Sequence, residues 1–453
     1  MTGDEMIYSD FERSLTNASV YDKAIFLSGI PGSGKTFAAL QFCSEHKDCL
    51  YFSFKNLDTA FALRVFCDAH PDIFADCKSW TDFFDCLKSY GNKKRPIVFF
   101  DNAGERNDKE NFCVALNCFL ESNSTIKLVL LVRPWETISI PAKKISAEFF
   151  SMPQLADICS LNDKTAASLY CLTSAIPALL SQYIKDLPFE ENVKAFLHTD
   201  SVFYRLALDW MKESFRTPES YNTLLYAMAN GHNRISEIAK FSGFPKDKCD
   251  KYIKALTEHG LAIKVIGENG HTKYYPANSY LTLWYKALLT ATPNADGSFD
   301  EDIYDRFMRC FNDIVLPAFY KEMCARWLEK NIDSISTEHI NKKASSCLNV
   351  KLGNVIFDFA CEKKQAIYAY YDTIPGGKLT QKIWNEIESS TAKNRPFYEN
   401  EYIICTVNRV PDSFWKISKI YDNVHIVSLK MLFATYKKEH NKAAHPKFVP
   451  AFV

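Results

Sequence analysis

A chain of 453 residues is too long for one hydrophobic core and implies about two to four domains. Its 47% hydrophobic and 24% charged content is that of a globular protein, and 54 basic residues balance 54 acidic ones. With no net charge, no global field draws the chain to nucleic acid or to an anionic membrane, so such contacts need a local basic patch. The fifteen cysteines stand singly, with no C-x-x-C pair and no Cys/His cluster at zinc spacing. The N-terminus lacks an apolar segment, and no run approaches the ~18–20 residues of a spanning helix. Reduced thiols, a cytoplasmic location and no membrane partner are expected.

Residues 1–150 alternate short apolar runs (24–27, 50–54, 97–100 and 128–132) with amphipathic stretches, which is the βαβ rhythm of an α/β fold with a parallel sheet. Directly after the first run comes Gly29-Ile30-Pro31-Gly32-Ser33-Gly34-Lys35-Thr36, a match to G-x-x-x-x-G-K-[ST], and after it a helical start. A phosphate must approach bare backbone here. Gly32 and Gly34 can take positive φ and carry no Cβ, so the loop amides and the helix N-terminus face an anion together. Lys35 supplies a charge for the β- and γ-phosphates, and the Thr36 hydroxyl is placed to ligate Mg²⁺. A chance glycine-rich turn would not explain the strand before the loop and the helix after it.

The run 97–100 ends in Asp101, the Walker B arrangement, in which the acid holds Mg²⁺ through water. Many ATPases place a glutamate next; this chain has Asn102, with Glu105 three positions on. An amide cannot act as a general base, so either Glu105 reaches the site, or hydrolysis is slow, or the protein mainly binds nucleotide. Arg133 follows the run 128–132, where a guanidinium can report a γ-phosphate or can be an ordinary solvated arginine before Pro134.

Residues 151–215 read as helical. Residues 216–290 read as three helices, with stops at Gly231, Gly243 and Gly260, followed by a hairpin around a glycine-rich turn at 267–270, the pattern of a winged helix-turn-helix. Lys246, Lys248, Lys251 and Lys254 lie on or beside its third helix, and Lys264 and Lys273 flank the wing. Asp247, Asp250 and Glu258 interrupt that patch and no arginine is there for base readout, which favours a protein-docking or intramolecular role over specific DNA binding. Residues 291–299 read as a linker and 301–330 as an amphipathic helix or helix pair. Strand signals return at 355–360, 365–370 and 402–406, giving a C-terminal α/β domain over 300–453. Asp358 sits on a strand, but the next one, 366–372, lacks the E-x-K of two-strand nuclease chemistry.

With these elements in order, the chain resembles, over nearly its whole length, the archaeal-type ATPase family, a branch of the STAND class of AAA+-related P-loop NTPases. The resemblance rests on the phosphate loop, the strand ending at Asp101, the segment Leu169-Tyr-Cys-Leu-Thr-Ser-Ala-Ile-Pro177, the helix Arg234-Ile-Ser-Glu-Ile-Ala239 and the closing Leu281-Thr-Leu-Trp-Tyr285. It implies a P-loop domain, a helical lid over 151–215, a winged helix and a C-terminal domain similar to PD-(D/E)xK nucleases, with Glu322 near the leading glutamate and Asp358 at the acid. The departures are Asn102 after Walker B, Ser174-Ala175 in place of lid glycines, a reduced N-terminal segment at 7–15, and the broken nuclease motif.

The expected function is that of a Mg²⁺- and ATP-binding switch. Lys35, Asp101, Glu105 and Arg133 form its catalytic set, Gly29 through Thr36 its nucleotide cradle, and Thr36 and Asp101 its metal ligands. The expected partners are ATP and a protein or a second copy. The alternatives are a DNA-binding regulatory or defence-type protein and, least favoured, a metal-dependent nuclease.

Overall fold

The computed structural model describes residues 23–104, 109–122, 126–136, 138–147, 150–266, 270–335, 346–352, 355–362, 366–391 and 396–437. Glu105, the N-terminal segment 7–15 and the wing residues 267–269 lie outside them. Among the described residues no helix is long and apolar enough to cross a membrane.

Five parallel strands, β1 (Ala24–Ser28), β2 (Cys49–Ser53), β3 (Ile97–Asp101), β4 (Lys127–Val132) and β5 (Lys143–Ser146), form one sheet in the order β2-β3-β4-β1-β5. The apolar runs are continuous because each central strand is buried on both faces. Val129 and Leu131 of β4 pack with Phe42 of the helix Lys35–Glu45, while Leu128, Leu130 and Val132 join the opposite core. That second core is dominated by rings: Phe74 stacks on Phe83 at 4.2 Å, and Phe54 meets Phe112 edge-on at 5.3 Å. The edge strand β5 carries exposed Lys143 and Lys144 and only four residues, which is why no strand signal marks it in the sequence.

This α/β sheet with its loop and following helix is the P-loop NTPase fold expected from the sequence. From β1 the chain crosses to β2 at the far edge, its connecting helix on one face. It then steps back through β3 and β4 and past β1 to β5, with the helices Thr59–Ala69, Trp80–Lys94 and Lys109–Ser122 on the other face. Direction reverses between β1 and β4, so a crevice opens at the carboxyl ends of those strands.

Beyond Phe150 one buried cluster runs through the rest of the chain. It takes in the helices Met152–Cys159, Asp163–Thr173, Pro177–Leu180, Phe189–Phe196 and Val202–Ser214. It continues into the helices Pro218–Ala229, Ile235–Ser242 and Lys246–Glu258, which lead to the antiparallel pair β6 (Ala262–Ile266) and β7 (Thr272–Pro276). It passes along Glu301–Cys310 and Leu316–Ile335, joined by a π-helical turn, and onto one face of a second sheet. That sheet, β8 (Ser346–Leu352), β9 (Val355–Glu362), β10 (Ala366–Asp372), β11 (Asn400–Thr406) and β12 (Val424–Ser428), is ordered β12-β11-β10-β9-β8, with the last three in chain order parallel. Its other face packs on Trp384, Ile387 and Phe414 of the helices Gln381–Thr391 and Asp412–Ile420.

The segment after β7 ties this body together. Ser279 Oγ donates to Cys171 O, and Ser174 Oγ accepts from Tyr280 N at 3.1 Å. The buried Tyr280 hydroxyl donates to Phe203 O at 2.8 Å and accepts from Ala207 N at 3.0 Å, while Trp284 Nε1 donates to Tyr204 O at 3.0 Å. The spacing of Tyr280 and Trp284 therefore serves as a buried lock on the helix Val202–Ser214. Tyr280→Phe removes both bonds and leaves Phe203 O and Ala207 N, i and i+4 of one helix, only each other, so thermal unfolding is expected to show a loss of about 1 kcal/mol.

Candidate functional site

The loop after β1 begins with Gly29 N donating to Val132 O at 3.2 Å, which pins it to β4. Gly32 and Gly34 have φ of 79° and 84°, the left-handed region that a side chain disfavours. Gly34 is the N-cap of the helix Lys35–Glu45, and no side chain caps it and no acid lies in its first turn. The loop backbone and the first-turn amides therefore face the crevice as anion donors.

A Cβ on Gly32 would stand 3.1 Å from Ile176 Cγ2 and 3.2 Å from Leu206 Cδ1. The helical body thus lies directly on the loop, and Gly32 O accepts from Ala178 N at 3.0 Å. Ile30 packs against the same body. Together the loop, the strand ends and the helical body enclose a cavity of about 650 Å³ lined by Pro31 to Phe37, Asp101, Arg133, Pro177 and Leu206, among others.

Lys35 Nζ donates to Gly29 O at 2.5 Å, Ile30 O at 3.1 Å and Ser33 Oγ at 3.3 Å. Burial pulls its value down to about 8, against the opposing pull of Asp101 and with a further push from Arg133. Asp101 closes β3 and is 4% exposed. Its Oδ2 accepts from Thr36 Oγ1 at 2.7 Å and from Tyr51 OH at 2.7 Å, and its Oδ1 from Asn102 N at 2.8 Å. Burial and the neighbouring Asp101 charge hold the Tyr51 phenol well above its ordinary value, so it stays a donor. A hydroxyl and a carboxylate meeting this closely are hard oxygen donors of the kind that suits Mg²⁺. Asn102, at φ 57°, also lines the cavity; asparagine tolerates that conformation.

Arg133 is 9% exposed, so it is no solvated arginine. Its backbone N donates to Glu136 Oε2 at 2.7 Å, and its guanidinium lies 3.5 Å from Glu136 Oε1 and 2.9 Å from Glu213 Oε2. Glu213 belongs to the helix Val202–Ser214, so this arginine bridges the sheet to the helical body. Sequence reasoning missed Tyr51, Glu136 and Glu213. Glu136 carries a weak local signal, three residues after Arg133, while Glu213 carries none.

From the same edge a run of rings leads away. Trp135 stacks on His259 at 4.9 Å, His259 lies 4.8 Å from Phe215, Phe215 stacks on Tyr221 at 3.7 Å, and Tyr221 on Tyr252 at 4.5 Å. Burial pulls His259 below its ordinary value and Arg133 adds to that, against Glu258. Lys248 Nζ rests 4.0 Å over Phe244, whereas Lys246, Lys251 and Lys254 are exposed, with Lys254 4.0 Å from Glu258. On the hairpin Lys264 is exposed and Lys273 half-buried.

In the second sheet Asp358 is matched by Lys321 Nζ at 2.8 Å and accepts from Tyr371 N at 2.9 Å. Glu322, pushed up to about 7 by burial despite Arg326, is bonded to Arg326 at 2.8 Å. Among the described residues no group of three or more His, Cys, Asp or Glu could hold a metal ion.

No family model matches the chain, and neither does any curated protein. Among solved structures, the Walker-type ATPase PABY2304 of Pyrococcus abyssi is similar at 16% identity and a TM-score of 0.47, over 62% of this chain and 95% of that one. Protein VC1899 from Vibrio cholerae aligns over 92% of this chain and 97% of its own, at 10% identity and a TM-score of 0.20. A RuvB variant of Thermotoga maritima aligns over 58% of this chain and 88% of its own, at 16% identity and a TM-score of 0.24.

Proposed function

We propose that the chain is an ATP-binding, slowly hydrolysing switch ATPase of the STAND type, in which nucleotide state controls how the helical lid and winged helix sit on the P-loop domain and thereby controls binding of a protein partner or a second copy. The observation that carries this reading is the cavity, whose phosphate loop joins a strand and a helix of one core and whose Leu206 belongs to the other, with Pro177 and Ala178 between Ile176 and Leu179 of that second core. A ligand there touches both bodies and biases their docking. The loop amides and Lys35 bind the phosphates, and Arg133 lies at the crevice to report the terminal one. Thr36 and, through water, Asp101 would hold Mg²⁺, which supplies neutralisation of phosphate charge. Asn102 offers no base, so slow turnover follows unless Glu105 reaches the nucleophile.

A second reading, duplex DNA on the winged helix, is favoured by the exposure of Lys246, Lys251 and Lys254 on the helix Lys246–Glu258. It requires salt-dependent binding that weakens in Lys251→Ala/Lys254→Ala. An absence of binding at low salt refutes it.

Lys35→Ala is expected to weaken ATP affinity by at least about tenfold, roughly 1.4 kcal/mol, in a calorimetric titration. Unchanged affinity refutes the nucleotide reading. Because the Lys35 value in the folded chain, about 8, lies below the ordinary 10.5, the folded state holds fewer protons between the two and this residue's contribution to stability rises with pH there. ATP favours the charged form, so its affinity is expected to run the other way, falling about tenfold from pH 7 to pH 9 in the wild type.

A further inference from the structure

Three cations line the cavity, Lys35, Lys55 and Arg133, against four carboxylates, Asp101, Glu136, Asp209 and Glu213. Two of those acids, Asp209 and Glu213, come from the helix Val202–Ser214 and stand one turn apart on its cavity side. An acidic lid face is an unexpected wall for a site that receives a polyanion, and it calls for an account.

Glu213 and Glu136 hold Arg133 differently. Glu136 is fixed: its Oε2 also accepts the backbone amide of Arg133 at 2.7 Å, and its side chain is 9% exposed and packs over Gly104. Glu213 is 37% exposed and reaches the guanidinium, at 2.9 Å, from a different body. The Glu213 charge is also felt at Lys35, across the mouth of the phosphate loop. A carboxylate bonded to the arginine and close to the loop lysine takes the part, in charge and in acceptor chemistry, that a terminal phosphoryl oxygen would take.

We propose that Glu213 is a built-in stand-in for the terminal phosphate of a nucleoside triphosphate, holding Arg133 and hence the helical body on the sheet until a triphosphate displaces it. This rests on the nucleotide-binding reading above and extends it to regulation. A diphosphate leaves the Arg133–Glu213 pair intact. A triphosphate takes the guanidinium and sets like charges against Glu213 and Asp209, which drives their helix away from the loop. That helix does not leave alone, because Phe203, Ala207, Trp210 and Met211 on its other side are buried in the large core. The body therefore moves as a unit, breaking the Ala178–Gly32 bond and parting His259 from Trp135.

The test uses the full chain with Mg²⁺, titrated with ADP and with a non-hydrolysable ATP analogue, in the wild type and in Glu213→Gln, which keeps the shape and removes the charge. The variant is expected to tighten the analogue by about 5- to 20-fold, the lower range of ordinary coupling between sites, while ADP affinity stays within about twofold. In the wild type, hydrogen exchange at residues 176–182 is expected to rise with the analogue and not with ADP. Equal shifts for both nucleotides, no shift for either, or exchange that responds to both alike overturns the latch while leaving the nucleotide reading standing. A wild type that binds neither nucleotide overturns both.

Discussion

Gly32 and the residues laid on it set the terms for the rest of the molecule. With Ile176 and Leu206 against the place where its Cβ would be, and with Ala178 N on its carbonyl, the phosphate loop lies between two bodies. One is the parallel sheet with a core on each face; in the other a single core runs unbroken from Phe150 through the helices to one face of the C-terminal sheet. Closely packed surfaces shift between discrete arrangements and do not deform continuously, which is the physical premise of the proposed switch.

An ion pair crosses this junction. Arg133 is held by Glu136 on its own turn and by Glu213 from the other body, and Asp101 is saturated by Thr36, Tyr51 and the amide of Asn102. Arg133 and Asp101 thereby escape the desolvation cost of standing alone. The lysine of the loop rests on two carbonyls and the Ser33 hydroxyl, neutral acceptors that offset its burial less than a bonded carboxylate would, so burial pulls its value down. Ser174 and Ala175, beside Ile176 of the junction, have positive φ, at about 1–2 kcal/mol per residue for an ordinary side chain. Ser174 and Ala175 hold the turn where glycines are expected from the resemblance, and the bonds of Ser174 to Ser279 and Tyr280 offset that cost.

The C-terminal sheet and the helix Leu316–Ile335 carry acids where nuclease chemistry would want them, yet each has a structural partner. Lys321 and the Tyr371 amide hold Asp358, Arg326 holds Glu322, and Thr406 and Asn408 hold Asp372. The sheet's inner face instead supplies Ile367, Ala369, Ile403 and Cys405 to the large core, so in this structure it braces the helical body.

The phosphate loop, the acid at the end of β3, the central strands and the three helices with their hairpin were all legible in the sequence. They are local patterns: glycine where φ must be positive, unbroken apolar runs where a strand is buried on both faces, glycine stops after helices. The short polar β5, and β8 and β12 flanking the second sheet, were not legible, because pairing partners define them more than composition does. The same holds for the site. Sequence alone marked out Lys35, Thr36 and Asp101, through residue type and spacing. Only the tertiary structure decided that Arg133 is buried, that Tyr51 secures Asp101, and that Glu213, 80 residues from its arginine, bonds to it in the wall of the cavity. An ion pair between two bodies depends on how they dock, and no local periodicity encodes that.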